Sequence, residues 1–394
     1  MARSTDGGRR FEAPVRVAGP LTFQPRLAVD PKGPVYVTWL QAQETVLNGF
    51  AQPFPYVVAV RSDDGARSFG PPARVSDPER ERLGSPSGVV DSQGRLVVLY
   101  EDFKDNRRDF SYLEGPPAER PFALVVTSST DGGRSFSRGT EIESGVVATR
   151  RFLIFLPEAP TLARGPGDEL YVAWADGRNG DDDVFLRRSA DGGRSWSEPV
   201  RVNDNAQGDG TDQLLPKVAV APDGRVDVLF LDRRHDPQDI LTDAYLASSD
   251  DGGRTFDNLR VSTQSFDSRV GPTFGPDYGT DFGTKLGLDS AGDTAFAAWT
   301  DTRLGNEASG SQDVAFARVT LPDAPPALVG WPVVVGLLVM GGIAMVGGTR
   351  GGNRTPSGAS TDQRSTASVG SRSGRSRQRG PSSPSLRSTM ASSG

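Results

Sequence analysis

One eight-residue pattern, Ser-x-Asp-x-Gly-x-Ser/Thr-aromatic, recurs five times and limits the fold more than any other feature of the chain. The copies run Ser4–Phe11, Ser62–Phe69, Ser129–Phe136, Ser189–Trp196 and Ser249–Phe256, and Ala66 replaces the second glycine in the Ser62 copy. Their aspartates, Asp6, Asp64, Asp131, Asp191 and Asp251, lie 58, 67, 60 and 60 residues apart. Strand-like runs precede the boxes at Tyr56–Val60, Ala123–Val126, Val184–Leu186 and Ala244–Leu246. Further runs follow at Ala73–Val75, Pro199–Val202 and Leu259–Val261. This is a hairpin with a long, fixed turn. Ser and Asp side chains bond turn backbone groups, Gly supplies positive φ, and the closing aromatic packs on the sheet.

A second unit alternates with the first: a short run, a Gly turn and a strong strand ending in an aromatic. The copies are Leu27–Trp39, Ser87–Tyr100, Thr161–Trp174, Lys217–Phe230 and Leu286–Trp299. Gln93-Gly94 and Asp223-Gly224 read as two-residue hairpin turns. Two hairpins per period make a four-stranded sheet, so the expectation is an all-β propeller over residues 1–320. Five blade units are visible. The last has a third strand, Val314–Val319, but no box, and the first box has only Met1–Arg3 before it. Six blades are expected in an intact chain, with a start upstream of Met1. A five-bladed ring closed by Val15–Ala18 is the alternative. The 47 Gly and 30 Pro exclude a mainly helical protein. With no Cys and one His, His235, thiol chemistry and multi-His zinc sites are also excluded.

Ala324–Thr349 carries no charged side chain, and a helix of about 20 apolar residues crosses a bilayer. The reading is a Pro-rich linker at 321–326, a transmembrane helix at 327–348 and a disordered Ser/Arg-rich tail at 349–394. The tail holds eight Arg and one acid, Asp362. It is therefore placed on the cytoplasmic side, with residues 1–323 extracytoplasmic. Met1–Pro20 has no apolar signal-peptide core, a second reason to expect an upstream start. The chain is −6 overall, so the part before the tail is strongly acidic, and nucleic acid is not an expected partner.

With five copies at blade spacing, the box resembles the Asp-box, or bacterial neuraminidase repeat, of sialidase-like β-propellers. Trp174-Ala-Asp176-Gly-Arg178, Leu231-Asp232-Arg-Arg234, Trp299-Thr-Asp301-Thr-Arg303 and Asp277-Tyr278-Gly279 resemble the wording of secreted bacterial members. The resemblance implies structural boxes on the periphery and an active face elsewhere. A sialidase uses Arg forks for the substrate carboxylate, a Tyr–Glu pair as nucleophile and an Asp as acid/base. The family's Arg-Ile-Pro signature is absent.

Residues repeated in every blade serve every blade, whereas sites draw on single insertions. By this test Arg178, Arg234 and Arg303 read first as structural partners of Asp176, Asp232 and Asp301, and second as an anion-binding rim. The insertions leave Tyr278, Asp277, Asp281, Tyr112 and Glu114 as catalytic candidates. Arg107, Arg108, Arg150, Arg151 and Arg269 are the substrate-binding candidates. No metal site or cofactor is assigned. The oxygen-rich segments Asp176–Asp183 and Asn203–Asp212 would suit calcium, with solvated acidic turns as the alternative. Two functions stay open: a surface-anchored exo-α-sialidase, or a non-catalytic propeller binding a glycan or an envelope protein. A monomer is expected in either case.

Overall fold

Among the described residues every regular element is a strand. The computed structural model describes residues 1–42, 56–104, 120–147, 159–271, 286–303, 305–306 and 311–321. The expected membrane helix at 327–348 and the tail lie outside these residues. Among the described residues no helix is long and apolar enough to cross a membrane.

The described strands form five antiparallel sheets in chain order. Sheet one is β1 (Thr22–Val29), β2 (Val35–Gln41), β3 (Tyr56–Ser62) and β4 (Ala73–Arg74); sheet two is β5 (Leu83–Val90), β6 (Leu96–Asp102), β7 (Phe122–Ser129) and β8 (Thr140–Val146). Sheet three is β9 (Thr161–Arg164), β10 (Leu170–Asp176), β11 (Asp183–Ser189) and β12 (Val200–Arg201). Sheet four is β13 (Gln213–Val220), β14 (Val226–Asp232), β15 (Leu241–Ser249) and β16 (Asp257–Arg260), with the short β17 (Phe266–Asp267) also on β15. Sheet five has three strands, β18 (Gly287–Ala291), β19 (Thr294–Asp301) and β20 (Asp313–Thr320).

The sheets stack face to face, and each interface is an apolar core. Tyr36 and Leu40 of sheet one pack with Leu96, Val98 and Tyr100 of sheet two. Leu99 and Leu124 meet Leu162, Leu170 and Trp174. Tyr171 and Leu186 meet Val218 and Phe230, and Leu229 and Leu246 meet Ala295 and Trp299. A strand packed on both faces needs apolar residues at both parities. Accordingly β6 (LVVLYED) and β14 (VDVLFLD) are buried at every position. The first strands of sheets one to four, with Leu286 ahead of β18, line one axial cavity. Sheets stacked around such an axis are the blades of a propeller.

One sequence expectation needs correction in detail. Asp91 N–H bonds Arg95 O and Gly94 N–H bonds Asp91 O, each at 3.0 Å; Ala221, Arg225 and Gly224 repeat the pattern at 2.9 Å. These are three-residue loops whose third residue, Gly94 or Gly224, has φ of +83° or +98°. A type I turn closed by a left-handed glycine accounts for them, where a two-residue turn was expected. At the N-terminus, Val15 and Met1 exchange backbone bonds, and Val17 and Ala18 pack on Val37, Trp39 and Val60 of sheet one. The segment Val15–Ala18 thus packs on sheet one without pairing to it; among the described residues β20 pairs with β19 alone.

The boxes join β3 to β4, β7 to β8, β11 to β12 and β15 to β16. In the Asp191 box, Oδ1 accepts the Arg194 and Ser195 N–H groups at 3.0 and 2.9 Å, while Oδ2 accepts the Ser195 hydroxyl at 2.6 Å. Ser189 Oγ donates to Asp191 and accepts Gly193 N–H, both at 2.8 Å. Asp64, Asp131 and Asp251 repeat this arrangement. The Ser68, Ser135 and Ser195 hydroxyls lead in holding Asp64, Asp131 and Asp191 well below the usual carboxylate range.

Each box after the first also leans on the unit before it. Arg95 of sheet two donates to Gly192 O at 2.9 Å, and Arg3 of the N-terminal box donates to Gly65 O at 3.3 Å. Arg61 and Arg188 stand against Gly132 and Gly252 in the same way. The second glycines, Gly133 and Gly253, lie on Tyr36 and Tyr171 of the preceding sheet. Three of these arginines immediately precede a box serine. In sheet two that position is Ser128, and Arg95 on β6 supplies the guanidinium instead.

Candidate functional site

The boxes occupy one edge of the blades, and a second repeated corner occupies the opposite edge. It lies where the second strand ends, and reads Trp39-Leu-Gln41, Tyr100-Glu-Asp102, Trp174-Ala-Asp176, Phe230-Leu-Asp232 and Trp299-Thr-Asp301. The third residue folds the chain back. Oδ1 of Asp102, Asp176, Asp232 and Asp301 accepts the N–H two residues on, at 2.8–3.0 Å. Where a Trp precedes, its indole N–H donates to the same side chain: Trp39 to Gln41, Trp174 to Asp176 and Trp299 to Asp301. These are local turns built from Asp side chains.

Arg178, Arg234 and Arg303 close their forks on these aspartates. Arg234 Nε and Nη2 lie 2.9 and 2.8 Å from Asp232 Oδ2, and its guanidinium stacks 4.3 Å from the Tyr245 ring centre. Its remaining nitrogen meets Asp204. Arg178 pairs with Asp176 and lies 3.4 Å from Glu143; Arg303 pairs with Asp301. Burial pushes the Asp232 carboxyl above the usual range, against the pull of Arg234. For Asp301 burial acts the same way, but Arg303 outweighs it and holds the carboxyl low. A fork already closed on a buried carboxylate is poorly placed to take a second one, which favours the structural reading of all three.

Arg269 is well exposed and pairs with Asp267 at 2.7 Å. The other candidates lie outside the described residues: Arg107, Arg108, Tyr112 and Glu114 in 105–119, Arg150 and Arg151 in 148–158, and Asp277, Tyr278 and Asp281 in 272–285. The described strand ends beside these segments share the corner edge. Asp102 pairs with Ala123, Val146 with Phe122, and Asp267 with Leu241.

Two cavities lined by described residues bear on function. The first, about 600 Å³, lies beside sheet two and is lined only by charged side chains. At its heart Arg80 bridges Asp77 (3.0 Å), Asp102 and Glu141 (3.2 Å). Nearby Glu101 is completely buried on β6. It faces Gly84, where a Cβ would stand 2.3 Å from its Oε2.

The second, about 250 Å³, is the axial cavity. Three of the innermost strands bulge on the way to it, between Phe23 and Arg26, Gly84 and Ser87, and Leu214 and Lys217. Within each bulge a non-glycine residue takes a left-handed φ: Gln24 +50°, Ser85 +33°, Leu215 +56°. A proline follows each one, and the bulge turns the next residue, Arg26, Ser87 or Lys217, onto the axis. Sequence reasoning missed this. The signal is a proline 14 residues before the corner aromatic, at Pro25, Pro86, Pro160 and Pro216.

The oxygen-rich segments draw together, but their carboxylates are bonded to donors. Asp181 accepts Gly210 N–H at 2.7 Å, and Asp212 accepts Asp182 N–H at 3.0 Å. Asp183 accepts Arg201, Asn203 and Asn179 at 2.6–2.7 Å. Among the described residues no group of three His, Cys, Asp or Glu side chains could hold a metal ion.

No family model matches the chain, and no curated protein matches it. Among solved structures, the chain is similar to the Hadza microbial sialidase Hz136 at 20% identity, over 81% of this chain and 58% of that one, with a TM-score of 0.49. It is similar to a protein of unknown function from Dyadobacter fermentans at 19% identity, over 76% and 95% of the two chains, TM-score 0.45. It is also similar to the α-L-arabinanase of Penicillium chrysogenum at 15% identity, over 76% and 94%, TM-score 0.47.

Proposed function

We propose that the chain is a sialidase-like Asp-box propeller, anchored in a bacterial cell membrane by residues 327–348, that acts on glycans at its corner edge. One observation carries the reading. The boxes bind their own turns and the preceding blade on one edge, while the strand ends flanking 105–119, 148–158 and 272–285 share the other. Those three segments hold all the unrepeated Tyr, Glu and Asp candidates and four of the five unrepeated Arg candidates. In the sialidase reading, arginines from Arg107, Arg108, Arg150 and Arg151 bind the substrate carboxylate. Tyr278 or Tyr112, deprotonated by a neighbouring carboxylate such as Glu114, attacks the anomeric carbon, and Asp277 or Asp281 protonates the leaving oxygen.

A glycan- or protein-binding role without turnover is the second reading. The closed forks of Arg178, Arg234 and Arg303 favour it, since they leave the carboxylate clamp to the insertions alone. Hydrolysis of a fluorogenic sialoside separates the two. Release by the wild type that is lost in Tyr278→Phe or Tyr112→Phe supports the hydrolase. Release no greater than that of both variants refutes it and leaves the binding role.

A further inference from the structure

We propose that the axial cavity is an oxyanion-binding site held by Arg26 and Lys217. The two side chains enter from β1 and β13, two blades that are not neighbours, and line the same cavity of about 250 Å³. Neither forms an ion pair among the described residues. Among the described residues Arg26's one hydrogen bond is a long one, 3.4 Å, to the carbonyl of its own neighbour Pro25. This is unusual in a molecule so acidic before its tail, where Arg80, Arg95, Arg178, Arg225, Arg233 and Arg234 all meet carboxylates.

Two half-buried cations facing one cavity, with no carboxylate partner among the described residues, are unfavourable. Burial, and then the charge of Arg26, push the Lys217 ammonium below its ordinary pKa; burial alone lowers Arg26. An anion between them removes both penalties. The walls suit one. The buried Pro160 and Pro216 and the half-buried Leu286 lower the local dielectric, which strengthens charge pairing. Ser87 Oγ accepts Leu162 N–H at 3.3 Å, leaving its proton to donate to a ligand. A planar fork, a point charge and a hydroxyl together recognise an oxyanion: a free phosphate or sulfate, or the carboxylate of an acidic sugar. The site lies on the axis, uses none of the insertion residues, and does not depend on the glycan-hydrolase reading.

Thermal unfolding of the full chain with millimolar sodium phosphate, or with sodium glucuronate, against sodium chloride at equal ionic strength tests the site. Either oxyanion is expected to raise the melting temperature saturably in the wild type. A response to phosphate assigns an inorganic ligand, and a response to glucuronate alone assigns a sugar acid. Arg26→Gln and Lys217→Gln should each weaken the response at least about tenfold, while their own melting transitions show that they fold. Without added anion, Lys217→Met should melt above the wild type because the repulsion is gone. The same response in both variants would mean general salting-out and would overturn the proposal, as would no response in the wild type.

Discussion

Replacing Arg234 by Gln strands a carboxylate, and the cost follows from the corner geometry. Asp232 is fully buried, and its Oδ2 receives two guanidinium nitrogens at 2.8–2.9 Å. Leaving a buried charge unpaired costs about 3–5 kcal/mol. The lower end, about 3 kcal/mol, applies here, because the backbone N–H of residue 234 still reaches Asp232 Oδ1 at 2.8 Å. The pair Asp232→Asn with Arg234→Gln keeps that turn bond and removes the charge, so it should cost only about 1 kcal/mol. Contacts of Arg234 with Asp204, Asn258 and Tyr245 are lost equally in both proteins and cancel in the comparison. The pH dependence has a fixed sign. Burial already raises Asp232 in the wild type, and without Arg234 it rises further above its unfolded value. The folded state of the single variant then binds a proton more tightly than the unfolded state. Its deficit is full above the folded pKa and shrinks as pH falls through it toward the unfolded value near 4. Urea unfolding at pH 8 and pH 5 reads both effects. A single variant no less stable than the double, or a deficit unchanged at pH 5, would refute the stranded-carboxylate account.

The box glycines give a graded series. Gly253 and Gly193 have φ of +83° and +92°, so either Gly→Ala change costs about 1 kcal/mol in backbone strain. At Gly253 the new Cβ would also stand 2.9 Å from Leu186 Cδ2, against an ordinary 3.4 Å contact with Leu170 at Gly193. Gly253→Ala should therefore unfold at lower urea than Gly193→Ala; equal midpoints would contradict the packing of boxes on preceding blades. Acid stability should follow the box carboxylates. Burial works against Asp251, but the Thr255 hydroxyl and N–H hold it at about 2, and Asp64, Asp131 and Asp191 lie low as well. Depressed groups stabilise the fold above their unfolded pKa and cease to as pH falls through the folded value. The melting temperature should drop from about pH 4 down to pH 2. A Ser195→Ala variant, which loses the largest contribution at Asp191, should show a smaller drop; an identical profile would show that other carboxylates govern the acid transition.

Strand content and blade order were legible because both signals are local and repeat. The box carries its own hydrogen-bond partners within eight residues, so the sequence spells the turn directly. Gln93-Gly94 and Asp223-Gly224 marked the inner turns correctly but misled on their length. A left-handed glycine serves a two-residue loop and a three-residue loop alike, and the flanking pairs Asp91–Arg95 and Ala221–Arg225 decide between them. The blade-to-blade arginines were hidden for a different reason. Their partners are backbone carbonyls and glycines of another blade, and a carbonyl leaves no trace in sequence. Arg95 lies 97 residues from Gly192, and the sequence shows only its near partner, Asp91.

The site divides along the same line. Subtracting what repeats set Arg178, Arg234 and Arg303 aside as structural partners, because the same Asp–Arg pair recurs at three corners, and there the forks close on their aspartates. The same subtraction concealed Arg26 and Lys217. They occupy a repeated station, the residue after the bulge proline, which Ser87 and Thr161 fill in sheets two and three. Only the side chain differs from blade to blade. An axis formed by one residue from each blade is built from equivalent positions, so a ligand site there is written as variation within the repeat and not as an insertion between repeats. For a propeller, both must be searched: the insertions for groups that reach over the edge, and the non-identical residues at equivalent inner-strand positions for groups that meet on the axis.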